Sequence, residues 1–151
     1  MAVPQELAQQ FLFQFARAEY ALKGVKGFCD GDEGKRAKPN WDAFASAIAE
    51  HLAGHPRVDK ETRELLLNQP PKVELVRDGV AKFEDKPLCE RPDGQRLIEA
   101  MKRVRNNLFH GGKENPEQYP GRDERLVEAA LTVLHVAMEC APEEIQRRFV
   151  R

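Results

Sequence analysis

At 151 residues the chain is the size of one domain with a core of its own, and 24 Lys and Arg against 25 Asp and Glu leave no global charge that would draw it to nucleic acid. Its three cysteines, Cys29, Cys89 and Cys140, are odd in number and widely spaced, which excludes a disulfide framework and a paired zinc spacing and fits a reducing cytosol. No basic leader precedes an apolar core and no apolar run approaches the ~20 residues that span a bilayer, so a soluble, cytoplasmic protein with no membrane partner is expected.

Taken in chain order, the first predicted helix runs from Pro4 to Lys23, with Leu12, Phe15 and Leu22 at helical spacing, flanked by Leu7, Phe11 and Ala16. Gly24 and Gly27 end it. Residues Gly27 to Pro39 read as an exposed loop rich in Gly and charge; Gly31-Asp-Glu-Gly34-Lys35 lacks the Gly-Lys-Ser/Thr ending of a phosphate-binding P-loop. Asn40 is placed to cap a second helix, Trp41 to Leu52, with Trp41, Phe44, Ala45 and Ile48 on one face. Asp59 caps a third, short helix through Leu67, stopped by Gln69-Pro70-Pro71. From Lys72 to Phe83 the pattern is less regular, with Val73 to Val76 as a short extended piece closed by a turn at Asp78-Gly79.

A strongly helical run then covers Pro92 to Phe109, with Leu97, Met101, Val104 and Leu108 as its inward stripe. After a loop, Asn115 to Gly121, another helix extends from Asp123 to Cys140, with Leu126, Val127, Ala130, Leu134 and Ala137 on one broad face. Pro142 opens a last short helix in which Glu143–Arg147 and Glu144–Arg148 are spaced for mutual support. Neither an internal repeat nor a linker interrupts residues 1–151. The expected fold is therefore a single all-α domain: a mainly antiparallel bundle of about five to six helices with one short extended insertion.

The densest chemistry is the string Arg105-Asn-Asn-Leu-Phe-His110, followed at once by Gly111-Gly112-Lys113. Arg105 brings a permanent planar cation able to grip a phosphate in two places. His110 exchanges its proton near neutral pH, and Asn106 lies one helical turn before it. Arg105 and His110 are separated by roughly 140° around an ideal helix and about 7.5 Å along it, a gap that a long Arg side chain covers. Between Gln95 and Lys113 five basic residues, Arg96, Lys102, Arg103, Arg105 and Lys113, face one acid, Glu99, a local excess suited to steering a polyanion. The plainer reading is an ordinary helix C-terminus, where cations complement the dipole and Gly supplies the cap.

The fuller string Val-Arg-Asn-Asn-Leu-Phe-His-Gly-Gly-Lys resembles the active-site signature of the HEPN superfamily (higher eukaryotes and prokaryotes nucleotide-binding domain), and Phe15-Ala-Arg-Ala-Glu19-Tyr-Ala-Leu-Lys23 resembles the first helix of its bacterial members. The resemblance implies a helical fold and a ribonuclease that needs no metal or other cofactor and works as a homodimer, two copies of the motif meeting across a two-fold axis. It assigns His110 to proton transfer, Arg105 to phosphate stabilisation and Asn106 to orienting the His or holding the phosphate. It further implies a toxin or antiviral-defence effector acting on RNA, with an antitoxin or effector protein as a candidate partner. Where HEPN toxins neutralised by a small nucleotidyltransferase carry Tyr, two residues after the motif His, this chain has Gly112, so control through that tyrosine is not expected.

Glu19 is the candidate supporting residue, expected to touch the motif helix or else to pair with Lys23. Lys102, Arg103, Lys113 and Arg122 are candidate RNA contacts, with Tyr119 beside the last of them. His51 and His55 lie four apart but lack a third ligand with suggestive spacing, and His135 reads as a packing residue, so no metal site is expected. The alternative function is a non-catalytic RNA- or nucleotide-binding or partner-recruiting module, and a third is an interaction domain that uses the motif only as a dimer seam.

Overall fold

Asn40 and Asp59 each start a helix by the same device. The side-chain oxygen of Asn40 accepts from the Ala43 N–H at 2.9 Å and that of Asp59 from the Thr62 N–H at 2.8 Å, satisfying donors that an open helix end leaves unpaired. The computed structural model describes residues 3–110 and 121–150. Its elements in order are α1 (Gln5–Lys23), β1 (Cys29–Asp30), β2 (Lys38–Pro39), α2 (Trp41–Ala53), α3 (Lys60–Arg63) continued by a widened π-turn (Glu64–Asn68), β3 (Val73–Arg77), β4 (Val80–Glu84), α4 (Asp93–His110), α5 (Arg122–Glu139) and α6 (Glu143–Phe149). The loop expected over 115–121 lies outside the described residues, except for Gly121.

The chain is predominantly helical, yet two small antiparallel sheets correct the all-α expectation. β1 and β2 form a minimal bridge, Cys29 opposite Pro39 and Asp30 opposite Lys38, inside what reads in sequence as a loop. β3 and β4 form a full five-pair hairpin from Val73–Glu84 to Arg77–Val80. Asp78 (φ 52°) and Gly79 (φ 81°) both take left-handed backbone, as the two-residue turn that matches strand twist requires. The second strand escapes the sequence pattern because Ala81 and Lys82 have weak strand preference.

Helix α5 is the centre of the core. Ten of its residues are buried, among them Val127, Ala130, Val133, Leu134 and Ala137 at 0% exposure, and it contacts α1, α2, α4, α6 and the π-turn. α4 lies against α2 and α5 with Leu97, Met101 and Val104 fully buried, as the stripe predicts, and Leu108 partly so. On α1 the buried line is Phe11, Phe15, Ala18 and Leu22: Phe15 and Leu22 are inward as expected, while Leu12 is half-buried, Phe11 takes its place in the core, and Ala16 is exposed. Glu19 lies at the half-buried edge of the helix. At the far end, Arg17 donates to the carbonyls of Phe149 (3.0 Å) and Arg148 (3.4 Å) and so closes the end of α6 onto α1. Glu143 pairs with Arg147 at 3.5 Å as expected, whereas Arg148 lies over the Tyr20 ring at 4.8 Å instead of turning to Glu144.

The backbones of α2 and α4 come close at Gly94, where a side-chain methyl would run into the backbone of Ala49. Backbone cannot swing aside as a flexible side chain does, so the two helices would have to part. Gly94→Ala should lower stability by about 1–3 kcal/mol, despite the better helix propensity of Ala, and lower Tm accordingly. An unchanged melting temperature would show that α2 and α4 do not need this approach.

Candidate functional site

Little more than one turn of helix sends neighbouring polar residues of α4, from Arg103 to Asn107, to different destinations. Arg103 and Asn107, one turn apart, face the β3–β4 hairpin and are each 8% exposed. The Arg103 guanidinium donates to the carbonyls of Pro71 (3.2 Å), Lys86 (2.6 Å) and Pro87 (3.0 Å) and to the Glu99 carboxylate (3.1 Å). These acceptors come from both ends of the hairpin stem, so Arg103 fastens the hairpin to the helix. Asn107 adds a second tie by donating to the Lys72 carbonyl at 3.0 Å. The expectation of Arg103 as an RNA contact meets a side chain already engaged inside the protein.

Arg105 turns the other way, toward α1. Its guanidinium lies 5.5 Å from the centre of the Phe15 ring and donates to the Asn106 side-chain oxygen at 3.0 Å. The motif's Arg and first Asn are thus joined directly, and the Asn106 carbonyl serves Arg105, leaving the NH2 as that amide's remaining polar group. α4 runs through His110, whose side chain lies outside the described residues, as do Lys113 and Tyr119.

Glu19 reaches the site indirectly. Its carboxylate accepts from the Trp41 indole N–H at 2.9 Å; the Trp41 ring lies 5.1 Å from that of Phe15, and Phe15 underlies Arg105. Its hydrogen bond therefore goes to α2 rather than to the motif helix or Lys23, and its bearing on Arg105 passes through two aromatic rings. Phe15 and Trp41 read in sequence only as core residues. Their apolar character conceals the second task.

Arg122, another candidate contact, donates to the Gln69 carbonyl (2.7 Å) and its side-chain oxygen (3.3 Å), bracing the start of α5 against the π-turn. Lys102 is half-exposed on α4. Among the described residues of this stretch Arg96 pairs with Asp93 (3.2 Å) and Arg103 with Glu99, so part of the local cationic charge is already balanced. Between the hairpin stem (Lys72, Val73, Glu74, Phe83) and Asn106 and Asn107 of α4 lies a cleft of about 280 Å³. The sequence offered no sign of it, since the cleft depends on where the hairpin docks.

No family model, curated protein or solved structure matches this chain. The residues must therefore speak for themselves. Among the described residues no group of three or more His, Cys, Asp or Glu is placed to hold a metal, and no described helix is long and apolar enough to cross a membrane. His51 is exposed, His55 accepts the Arg57 backbone N–H at 3.1 Å through Nδ1, and His135 is half-buried on α5.

Two predictions follow from these placements. Arg103→Met keeps the apolar stem but strands the three hairpin carbonyls and the Glu99 carboxylate, so it should cost about 3 kcal/mol and speed amide exchange in β3 and β4. A variant as stable as the parent would mean that the hairpin is held by other means. Separately, burial, with the Arg57 guanidinium adding to it, holds the His135 imidazole below the usual histidine range against the opposing pull of Glu139. The folded protein then binds this proton less readily than the unfolded chain, whose histidine titrates near ~6.5. The stability that His135 contributes is full above that pH and is lost as pH falls toward its lowered value. Tm measured from pH 8 to pH 5 should fall more steeply below about 6.5 in the parent than in His135→Gln; parallel curves would contradict this.

Proposed function

We propose that this protein is a metal-independent endoribonuclease of HEPN type, a mainly antiparallel helical bundle that acts as a homodimer in the cytoplasm. The observation that carries the reading is the fixed guanidinium at the end of α4: Arg105 is seated over Phe15 and bonded to Asn106, within the same helix end that bears His110. A guanidinium held from below by an aromatic ring is oriented before a phosphate arrives, which lowers the entropy lost on binding.

RNA supplies its own nucleophile, so the protein has only to move protons and balance charge. The 2′-oxygen attacks the adjacent phosphorus while a His takes the 2′-hydroxyl proton. The phosphorus–5′-oxygen bond breaks, and a second His protonates the departing oxygen. The products are a 2′,3′-cyclic phosphate and a 5′-hydroxyl. One His110 per chain supplies one such group, whereas a two-fold dimer supplies both, along with two Arg105 side chains to stabilise the charge building on the phosphate. In this reading the enzyme is a toxin or antiviral effector, restrained by an antitoxin or effector partner, and Lys102 and Lys113 add phosphate contacts.

Purified protein incubated with labelled RNA in EDTA should produce those ends and should spare an RNA with 2′-deoxyribose at the cut site. His110→Ala should lose ~10²–10⁴ in rate while keeping its melting temperature, dimer mass and most RNA affinity. Arg105→Ala should lose both affinity and rate, and Arg105→Lys should recover only part, because an ammonium keeps the charge without the fork. Wild-type cleavage by folded, dimeric His110→Ala would overturn the mechanism. RNA binding without cleavage by the parent would favour the non-catalytic binding module instead.

A further inference from the structure

We propose that the cleft between the hairpin stem and α4 seats an unstacked nucleobase of single-stranded RNA, next to the Arg105–His110 motif; the inference rests on the ribonuclease reading only for which nucleotide is held, the one flanking the scissile phosphate. The first support is Asn107. It is more than nine-tenths buried and lines the cleft, its NH2 is used by the Lys72 carbonyl, and among the described residues nothing donates to its side-chain oxygen. That oxygen is not one of the buried polar atoms left without a partner, so it stays reachable and offers a ligand an acceptor on the cleft wall. The second is its neighbour Asn106, whose oxygen is taken by Arg105 so that its NH2 remains as a donor on the same wall.

The third support is the opposite wall. Phe83, half-buried, stands directly across the hairpin from Glu74, and both line the cleft. An aromatic ring beside one hydrogen-bond donor and one acceptor suits a flat heterocycle that carries both on its edge, as every nucleobase does. A phosphate suits it poorly. The one guanidinium at the cleft, that of Arg103, is occupied by three carbonyls and Glu99, and the Glu74 carboxylate would repel an anion. Exposed Lys72 at the rim is left to meet the backbone of the strand whose base is inside.

The test uses the whole chain and follows backbone amides by NMR during titration with 2′-O-methyl tetraribonucleotides of each base, which lack the nucleophile and survive intact. At least one should shift the amides of Val73, Glu74, Phe83 and Asn106 and bind about 5- to 100-fold more tightly than an abasic tetramer of the same length. Phe83→Ala should lose a similar factor and Phe83→Trp should retain the affinity. Equal affinity for the abasic tetramer, a comparison that needs no variant, would overturn the proposal, as would undiminished binding by folded Phe83→Ala. A mononucleotide bound as tightly as the tetramer would overturn the assignment to an RNA strand. Base-dependent shifts in a protein that does not cut unmodified RNA would sustain the cleft and sink the ribonuclease reading, whereas cleavage without those shifts would sink the cleft alone.

Discussion

A two-stranded hairpin is barely stable by itself in water, and the β3–β4 hairpin depends on one buried cation to keep its place. Arg103 sits almost out of solvent, where an unpaired charge would be intolerable. It is tolerated because its fork of N–H groups meets four acceptors, three of them carbonyls at the two ends of the hairpin stem. Proline at positions 70, 71 and 87 suits this arrangement, since it stiffens the chain where carbonyls must converge and takes no part as a backbone donor. The cleft and the placement of Phe83 on that side of α4 depend on this anchorage, with Asn107 adding its tie to Lys72.

The opposite side of the helix uses aromatic packing for the same end. Phe11, Phe15, Trp41, Phe44 and Phe28 form a chain of ring contacts with centroids 5.1–6.1 Å apart, mostly edge-on. Arg105 lies against this chain at Phe15. At a half-exposed position such a contact is worth only about 0.5–1 kcal/mol, too little to stabilise the fold appreciably but enough to favour one placement of a long side chain. Glu19 contributes at one remove, because its bond to the Trp41 indole fixes the ring that in turn borders Phe15. A carboxylate beside Arg105 would neutralise its charge directly; one step away, through an indole, it bears on the ring packing without doing so.

Features set by nearest neighbours were legible in the sequence. The caps at Asn40 and Asp59, the Asp78-Gly79 turn and the inward stripe of α4 are all local chemistry with a fixed spacing, and each lies where the residues place it. Features set by distant partners were not. On α1, Phe15 and Leu22 were placed correctly, but Leu12 and Phe11 are equally apolar, and the sequence alone did not show that Phe11 is the buried one. The β1–β2 bridge consists of two residue pairs, too few to leave a periodicity. Within the motif string, Asn107 resembles Asn106 in every sequence property, yet one is buried against the hairpin and the other exposed.

Counting charge along α4 misled for a reason that applies to any amphipathic helix. Residues 102, 103 and 105 lie within four positions of one another, but a helix turns about 100° per residue, so each meets a different environment. Arg103 is turned inward and its charge is balanced by Glu99 one turn earlier; Arg96 is balanced by Asp93 in the same way. Both pairs are intrahelical, at i,i+4 and i,i+3, and both partners were present in the sequence. What no linear count supplies is which cation the tertiary structure calls on. The hairpin's carbonyls select Arg103, the rings of α1 and α2 select Arg105, and Lys102 is left half-exposed between them. The positive charge that this helix end presents is therefore smaller than its composition suggests, and uncharged amides and a ring stand beside it.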